Sequence, residues 1–101
     1  MMLQSKSEIA AWLDKYNIEN YTINDDLTVD VAGNVDLYYN KLATIPIQFG
    51  KVTGWFDCSN NKLTSLEGCP SIIRGEFYCD DKFKNDIEYL RWVFSKKVMA
   101  L

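Results

Sequence analysis

The 101-residue sequence contains no histidine. Catalytic arrangements that depend on an imidazole, such as Ser-His-Asp and Cys-His, are therefore excluded within this chain, and so are zinc sites with histidine ligands. Cysteine is also scarce, with three residues and no Cys-x-x-Cys spacing. An odd number of cysteines without a secretory context indicates reduced thiols in a cytosol.

Long apolar runs and a basic surplus are missing as well. No run approaches the ~18 apolar residues that a membrane-spanning helix needs. The first residues include Lys6 and Glu8, which do not belong in the apolar part of a signal peptide. The formal charge is −3, whereas a protein that binds nucleic acid without sequence preference carries excess positive charge. We therefore expect one cytoplasmic domain with no membrane segment and no direct nucleic-acid binding.

A spacing of 21 residues recurs through the middle of the chain. A fixed period of this length is typical of solenoids, in which each turn buries its apolar side against its neighbours. Asn40-Lys41-Leu42 and Asn61-Lys62-Leu63 are also one step apart. The columns that span three copies are Gly33, Gly54 and Gly75; Val31, Val52 and Ile73; Val35, Phe56 and Phe77; and Leu37, Cys58 and Cys79.

Within the second copy, apolar and polar residues alternate from Val52 to Cys58. Period-two alternation predicts one strand over residues 52–58 with one face buried. Stacked copies would pair such strands into a small parallel sheet. We expect Asn61, and Asn40 one step earlier, to bond backbone groups at the bend that follows, because a polar side chain is tolerated there only when it is bonded.

Residues 56–70, with the sequence FDCSNNKLTSLEGCP, closely resemble the short leucine-rich-repeat-like units of bacteriophage and bacterial proteins. Residues 9–37 resemble the N-terminal cap that precedes such units in tailed-phage proteins, so the resemblance covers roughly residues 8–80. It implies a leucine-rich-repeat-like solenoid that binds protein. After Cys79 the sequence departs from longer relatives, because residues 80–83 (DDKF) replace the expected SNNKL. The array would therefore end after about two full units and one partial unit.

The two ends of the chain are predicted to close this array. Residues 5–16 fit a helix, with Ser5 and Glu8 at capping-box spacing. Its apolar face would cover the first unit, and residues 21–31 fit a hairpin leading into it. A second helix is predicted from Asn85 or Asp86 to about Lys97. The expected fold is one α+β domain: an N-terminal cap (residues 1–31), repeats (32–81) and a C-terminal capping helix (82–101).

The outward row of the predicted strands is the candidate binding surface. Large aromatic side chains exposed at regular spacing are common at protein interfaces, and the acids around them favour a basic partner. The alternative is that Trp55 is covered by a terminal helix or by a second copy of the chain. The candidate partner-binding residues are Asp36, Tyr38, Trp55, Asp57, Glu76, Tyr78 and Asp80.

Other side chains offer weaker candidates. Cys58 and Cys79 are interpreted as small buried apolar residues, with a disulfide or a metal pair as the alternative. Asp36 and Asp57 are interpreted as solvated, although paired carboxylates also occur in glycosidases and ion sites. No cavity is expected in so small a solenoid. We therefore predict no catalytic residues, no metal and no cofactor. Lys82, Lys84, Arg91, Lys96 and Lys97 form a basic stretch, interpreted as a solvated face, with a weak nucleic-acid or acidic-protein contact as the alternative.

The functional hypothesis is a non-enzymatic, phage-encoded protein in the host bacterial cytoplasm. It would bind a host protein with a basic surface, such as a nuclease or a defence complex, and inhibit or redirect it. The phage origin and the inhibitory role follow from the resemblance and the acidic surface together. The alternative is a structural or assembly protein that forms a homodimer or larger homo-oligomer.

Overall fold

The structure is a computed structural model that describes residues 2–84. The predicted helix that begins at Asn85 or Asp86 lies outside these residues. Arg91, Lys96 and Lys97 of the predicted basic stretch lie outside them as well. One α-helix and short strands make up the described part, which confirms the α+β class. The elements are α1 (Lys6–Lys15), β1 (Tyr21–Ile23), β2 (Thr28–Val31), β3 (Val35–Asp36), β4 (Gln48–Val52), β5 (Phe56–Asp57), β6 (Ile72–Ile73), β7 (Phe77–Tyr78) and a 3₁₀ turn (Asp81–Phe83).

The helix α1 begins where the capping residues predict. The Ser5 hydroxyl oxygen accepts a hydrogen bond from the Glu8 backbone N–H at 3.2 Å and donates to the Glu8 carboxylate at 3.0 Å. Ile9 and Leu13 are buried. The Trp12 ring meets Phe49 of β4 edge-on, with 6.4 Å between ring centroids. The predicted apolar helix face is therefore confirmed, and it packs on the first sheet described below.

The strands form two sheets. The first is mixed and has the order β1-β2-β4-β6, with β1 antiparallel to β2 and the other pairs parallel. The second is parallel and has the order β3-β5-β7. The predicted hairpin is confirmed as β1 and β2. It is part of the first sheet, because β2 pairs with β4.

Pairing follows the 21-residue step. Val31 lies beside Val52 and Val52 beside Ile73 in the first sheet, while Val35, Phe56 and Phe77 align in the second. Four of these side chains are at most 1 % exposed: Val31, Val35, Val52 and Phe56. Phe49 of the first sheet contacts Phe56 of the second, with ring centroids 5.2 Å apart, so both sheets share one core.

The continuous strand predicted over residues 52–58 is wrong. Val52 ends β4, Phe56 begins β5, and the chain bends between them to join the two sheets. The bend depends on a close backbone approach: the Gly54 N–H donates to the Gly33 carbonyl at 2.9 Å, and a Cβ on Gly54 would lie 2.7 Å from that oxygen. Val52, Phe56 and Cys58 are buried on both sides of the bend and lie an even number of residues apart, which is why the sequence alternation alone did not reveal it.

Asn61 confirms its predicted role at the next bend. Its amide accepts from two backbone N–H groups and donates to three carbonyl oxygens. Asn40 makes one such bond, to the Tyr38 carbonyl at 3.2 Å. The loop that ends the first copy is thus fixed by a side chain from the second copy.

Candidate partner-binding face

The candidate binding residues lie on and beside the parallel sheet. Backbone bonds extend the pairing beyond the strands, from the Val35 N–H to the Trp55 carbonyl at 2.9 Å and from the Leu37 N–H to the Asp57 carbonyl at 2.8 Å. Neighbouring strands in a sheet are about 4.8 Å apart. The structure therefore brings the predicted positions together in rows. We call this surface the acidic-aromatic face: Asp36, Tyr38, Trp55, Asp57, Glu76, Tyr78 and Asp80.

Exposure differs among these side chains. Tyr38 is 51 % exposed and Tyr78 is 47 % exposed. Asp36 and Glu76 are exposed too, whereas Trp55, Asp57 and Asp80 are half-buried. The Trp55 side chain is thus only partly accessible to solvent. Tyr38 and Tyr78 offer the larger aromatic contact area.

Three carboxylates on the acidic-aromatic face also accept hydrogen bonds that stabilise the local backbone conformation. The Oδ1 atom of Asp57 accepts from the Ser59 backbone N–H at 2.9 Å and from its hydroxyl at 2.6 Å. Asp36 accepts from the backbone N–H two residues later at 3.1 Å, and Asp80 accepts from the Asn60 N–H at 2.7 Å. Aspartates that bond two residues onward are typical of turns, and this spacing was visible in the sequence. These bonds orient the carboxylates and leave each Oδ2 available to a partner.

Tyr39 was missed by the sequence analysis. Period-two alternation places it on the inward side, yet it is 70 % exposed and its ring lies 6.1 Å from that of Tyr38. Its φ angle is 57°, in the left-handed region that asparagine and glycine tolerate best. Asn60 occupies the matching position one step later with φ 56°. The left-handed backbone turns the Tyr39 side chain outward beside the acidic-aromatic face.

A groove of about 330 Å³ lies where the end of α1 meets the first row of the face. The expectation that this chain has no cavity is therefore wrong. The groove forms because a helix end and a strand edge, far apart in sequence, are brought side by side. We call it the α1 groove, and it is lined by Lys15, Tyr16, Asn17, Ile18, Asn34, Asp36, Tyr38 and Asn40.

The three cysteines are free thiols. Cys58 and Cys69 are buried and Cys79 is half-buried. Burial, together with the neighbouring Cys58, Asp80 and Asp81, raises the pKa of the Cys79 thiol to about 12. A thiol that stays protonated is a poor nucleophile and metal ligand. Within residues 2–84, no three thiol or carboxylate groups converge to hold a metal ion.

Comparisons with protein-family models, with curated proteins and with solved structures find no significant match. The described residues contain no helix with the length and apolar character needed to cross a bilayer.

Proposed function

We propose that this chain is a non-catalytic binding module, built as a short leucine-rich-repeat-like solenoid. Its acidic-aromatic face would bind a host protein with a basic surface in the bacterial cytoplasm, as expected of a phage-encoded inhibitor. The observation that carries the proposal is the shared surface on which exposed Tyr38 and Tyr78 lie among four carboxylates.

The composition of the face supports a basic partner. Its seven residues include four acids and no lysine or arginine, so a positively charged surface is attracted and a negatively charged one is repelled. Tyrosine and tryptophan supply much of the binding energy in protein interfaces because they bury a large area at little conformational cost. Exposed tyrosines surrounded by acids therefore suit a contact with lysine and arginine side chains.

The backbone beneath the face supports a rigid binding surface. Side chains on paired strands hold their positions better than side chains on loops. The register of 21 residues aligns strands of both sheets over one core, which supports the proposed repeat solenoid. The face would thus change little when the partner binds.

The test compares Tyr78→Ala with the isosteric charge variants Asp36→Asn and Asp57→Asn. An asparagine oxygen can still accept the turn hydrogen bond, so these variants remove charge while keeping the local backbone. The exposed Glu67 lies outside the face, so Glu67→Gln is the matched charge control. A partner is first identified by affinity capture from host lysate and mass spectrometry, and its dissociation constant is then measured by calorimetry.

We expect Tyr78→Ala to weaken binding about tenfold or more, as for an interface hot spot. The aspartate variants should weaken binding and reduce its dependence on salt, while Glu67→Gln should change neither. Partner affinity that is unchanged in all three face variants, with native circular dichroism spectra, would refute the proposal.

A homo-oligomer is the second candidate. Ile72 is 44 % exposed on β6, the last strand of the first sheet within the described residues. An apolar side chain at the end of a sheet favours pairing with another copy. Light scattering at micromolar concentration separates the candidates, because a monomer contradicts the assembly role and a dimer disrupted by Ile72→Lys supports it.

A further inference from the structure

We infer that the α1 groove is a binding site for a neutral saccharide. This inference does not depend on the protein partner proposed above. It depends on the polar atoms and rings that the two walls of the groove present, and on the balance of charge between them.

The strand wall carries polar groups whose orientation is fixed by the backbone. The Asn34 Oδ1 atom accepts from the Trp55 N–H at 2.9 Å, so its Nδ2 amide group is left as a donor. The Asp36 Oδ1 atom accepts from the Tyr38 N–H at 3.1 Å, which leaves Oδ2 as an acceptor. The Asn40 Nδ2 group donates to the Tyr38 carbonyl at 3.2 Å, which leaves Oδ1 as an acceptor.

All four of these residues line the strand side of the groove. Asn34 and Asp36 lie at β3, whereas Tyr38 and Asn40 lie in the turn that follows it, where Tyr39 has a left-handed φ of 57°. The 51 % exposed Tyr38 adds an aromatic ring to this wall. Because Asn34, Asp36 and Asn40 are already held by hydrogen bonds, these three side chains need little ordering when a ligand binds.

The helix wall adds a second ring and a third amide. Tyr16 is the C-cap of α1 and is half-buried, and the exposed Asn17 follows it with φ 58°. The Lys15 amine lies 5.5 Å from the centre of the Tyr16 ring. Residues with aromatic rings and amides thus line the groove on both sides.

A neutral saccharide matches this set of groups. Each sugar hydroxyl both donates and accepts, so it can use the mixed donors and acceptors of the two walls. The C–H face of a sugar ring is apolar and packs on an aromatic ring. Charged ligands fit less well, because an anion meets Asp36 and a cation meets Lys15. A volume of about 330 Å³ is at the lower end of small-molecule sites, which span roughly 300–1,000 Å³.

The test is an NMR titration of the ¹⁵N-labelled protein with maltose, cellobiose and di-N-acetylchitobiose. We expect at least one of these sugars to shift the amide signals of Asn17 and Tyr38 saturably, with a dissociation constant of about 1 mM or tighter. Argininamide and glucuronate are the charged comparison ligands, and a neutral tripeptide tests a peptide occupant.

Three variants test whether the sugar binds in the groove and not elsewhere on the surface. Asn17→Gly removes the amide while allowing the same backbone angle, and it should weaken sugar binding about three- to tenfold. Tyr38→Ala should weaken it by at least as much. Trp55 belongs to the acidic-aromatic face but does not line the groove, so Trp55→Ala should leave the sugar affinity unchanged.

Asp36→Asn distinguishes the ligand classes. A saccharide site keeps its affinity within about threefold, because the amide oxygen still accepts a hydrogen bond, whereas a site for a cation loses argininamide binding. The inference is overturned if no neutral sugar gives saturable shifts, or if argininamide or the tripeptide binds more tightly than every sugar. These outcomes leave the proposed function intact, because that proposal fails only when partner binding survives the Tyr78→Ala, Asp36→Asn and Asp57→Asn changes.

Discussion

Replacing Asn61 with alanine removes the five hydrogen bonds that its side chain makes at the bend that joins two neighbouring copies of the 21-residue pattern. The amide oxygen accepts two of these bonds and the amide nitrogen donates the other three, with its two hydrogens shared among three oxygens. The partners are the N–H groups of Asn40 (2.9 Å) and Leu42 (3.0 Å) and the carbonyls of Leu37 (2.8 Å), Cys58 (3.1 Å) and Ser59 (3.1 Å).

The expected loss follows from which of these partners water can reach. Asn40 is exposed and Ser59 is half-buried, so solvent can replace their bonds to Asn61. Leu37, Leu42 and Cys58 are buried, and each would keep an unsatisfied backbone group. About 1 kcal/mol for each of these three groups gives a loss of about 3 kcal/mol. That is a large part of the roughly 5–15 kcal/mol that stabilises a typical domain.

Urea unfolding followed by tryptophan fluorescence measures this loss as a change in the free energy of unfolding. Asn40→Ala is the matched control, because Asn40 is one step earlier, exposed, and makes a single side-chain bond to Tyr38. We expect the control to change stability by less than about 0.5 kcal/mol. Equal losses in the two variants would show that Asn61 does not hold the bend and that our account of this loop is wrong.

Three further predictions test the backbone and the thiols. Gly54→Ala should lose about 1–3 kcal/mol in urea unfolding, because the new Cβ would meet the Gly33 carbonyl at 2.7 Å; an unchanged midpoint would contradict this contact. Tyr39→Asn should raise the melting temperature by relieving about 1 kcal/mol of left-handed strain, as Asn60 does in the matching position, and a lower value would refute that account. Stability should fall as pH rises above about 9, because the unfolded chain then loses the Cys79 proton while the folded thiol, with a pKa of about 12, keeps it. Cys79→Ala should lessen this fall relative to the parent, and identical pH profiles would contradict the raised pKa.

Thiol chemistry offers an independent measure of the Cys79 pKa. Raising the pKa from 9.0 to about 12 lowers the thiolate fraction near pH 8 by about a thousandfold. The higher nucleophilicity of a more basic thiolate offsets part of this effect, so alkylation by iodoacetamide should be slowed about 30-fold relative to the urea-unfolded chain. Rates that are equal in the folded and unfolded chains would show that this thiol is not protected.

Much of the fold could be predicted from local sequence. The Ser5–Glu8 spacing gave the start of α1, because a capping box is formed by residues close in the chain. The 21-residue step predicted which residues become neighbours, since Val35 and Phe56 pair in that register. The predicted bonding role of Asn61 also followed, because a bend leaves backbone groups that need a partner.

The candidate site was predictable only in part. The acidic-aromatic face could be anticipated because its side chains alternate with a buried row. The outward position of Tyr39 depends on its left-handed φ angle, and the internal hydrogen bonds of Asp57 depend on the turn that follows it; a hydrophobic pattern contains neither. Alternation therefore predicted the face of the strand residues, but not that of Tyr39, and not whether polar atoms are already bonded.

The sequence by itself determined the helix cap, the hairpin and the 21-residue register, because these depend on neighbouring residues or on a regular period. Tertiary structure decided where the chain bends between the two sheets, since Gly54 reveals its close approach only when it is stacked on Gly33. It also decided the α1 groove, which exists because packing of an apolar helix face places Asn17 and Asp36 along the same groove. Such a meeting of distant segments depends on how the core packs in three dimensions, and no local pattern encodes it.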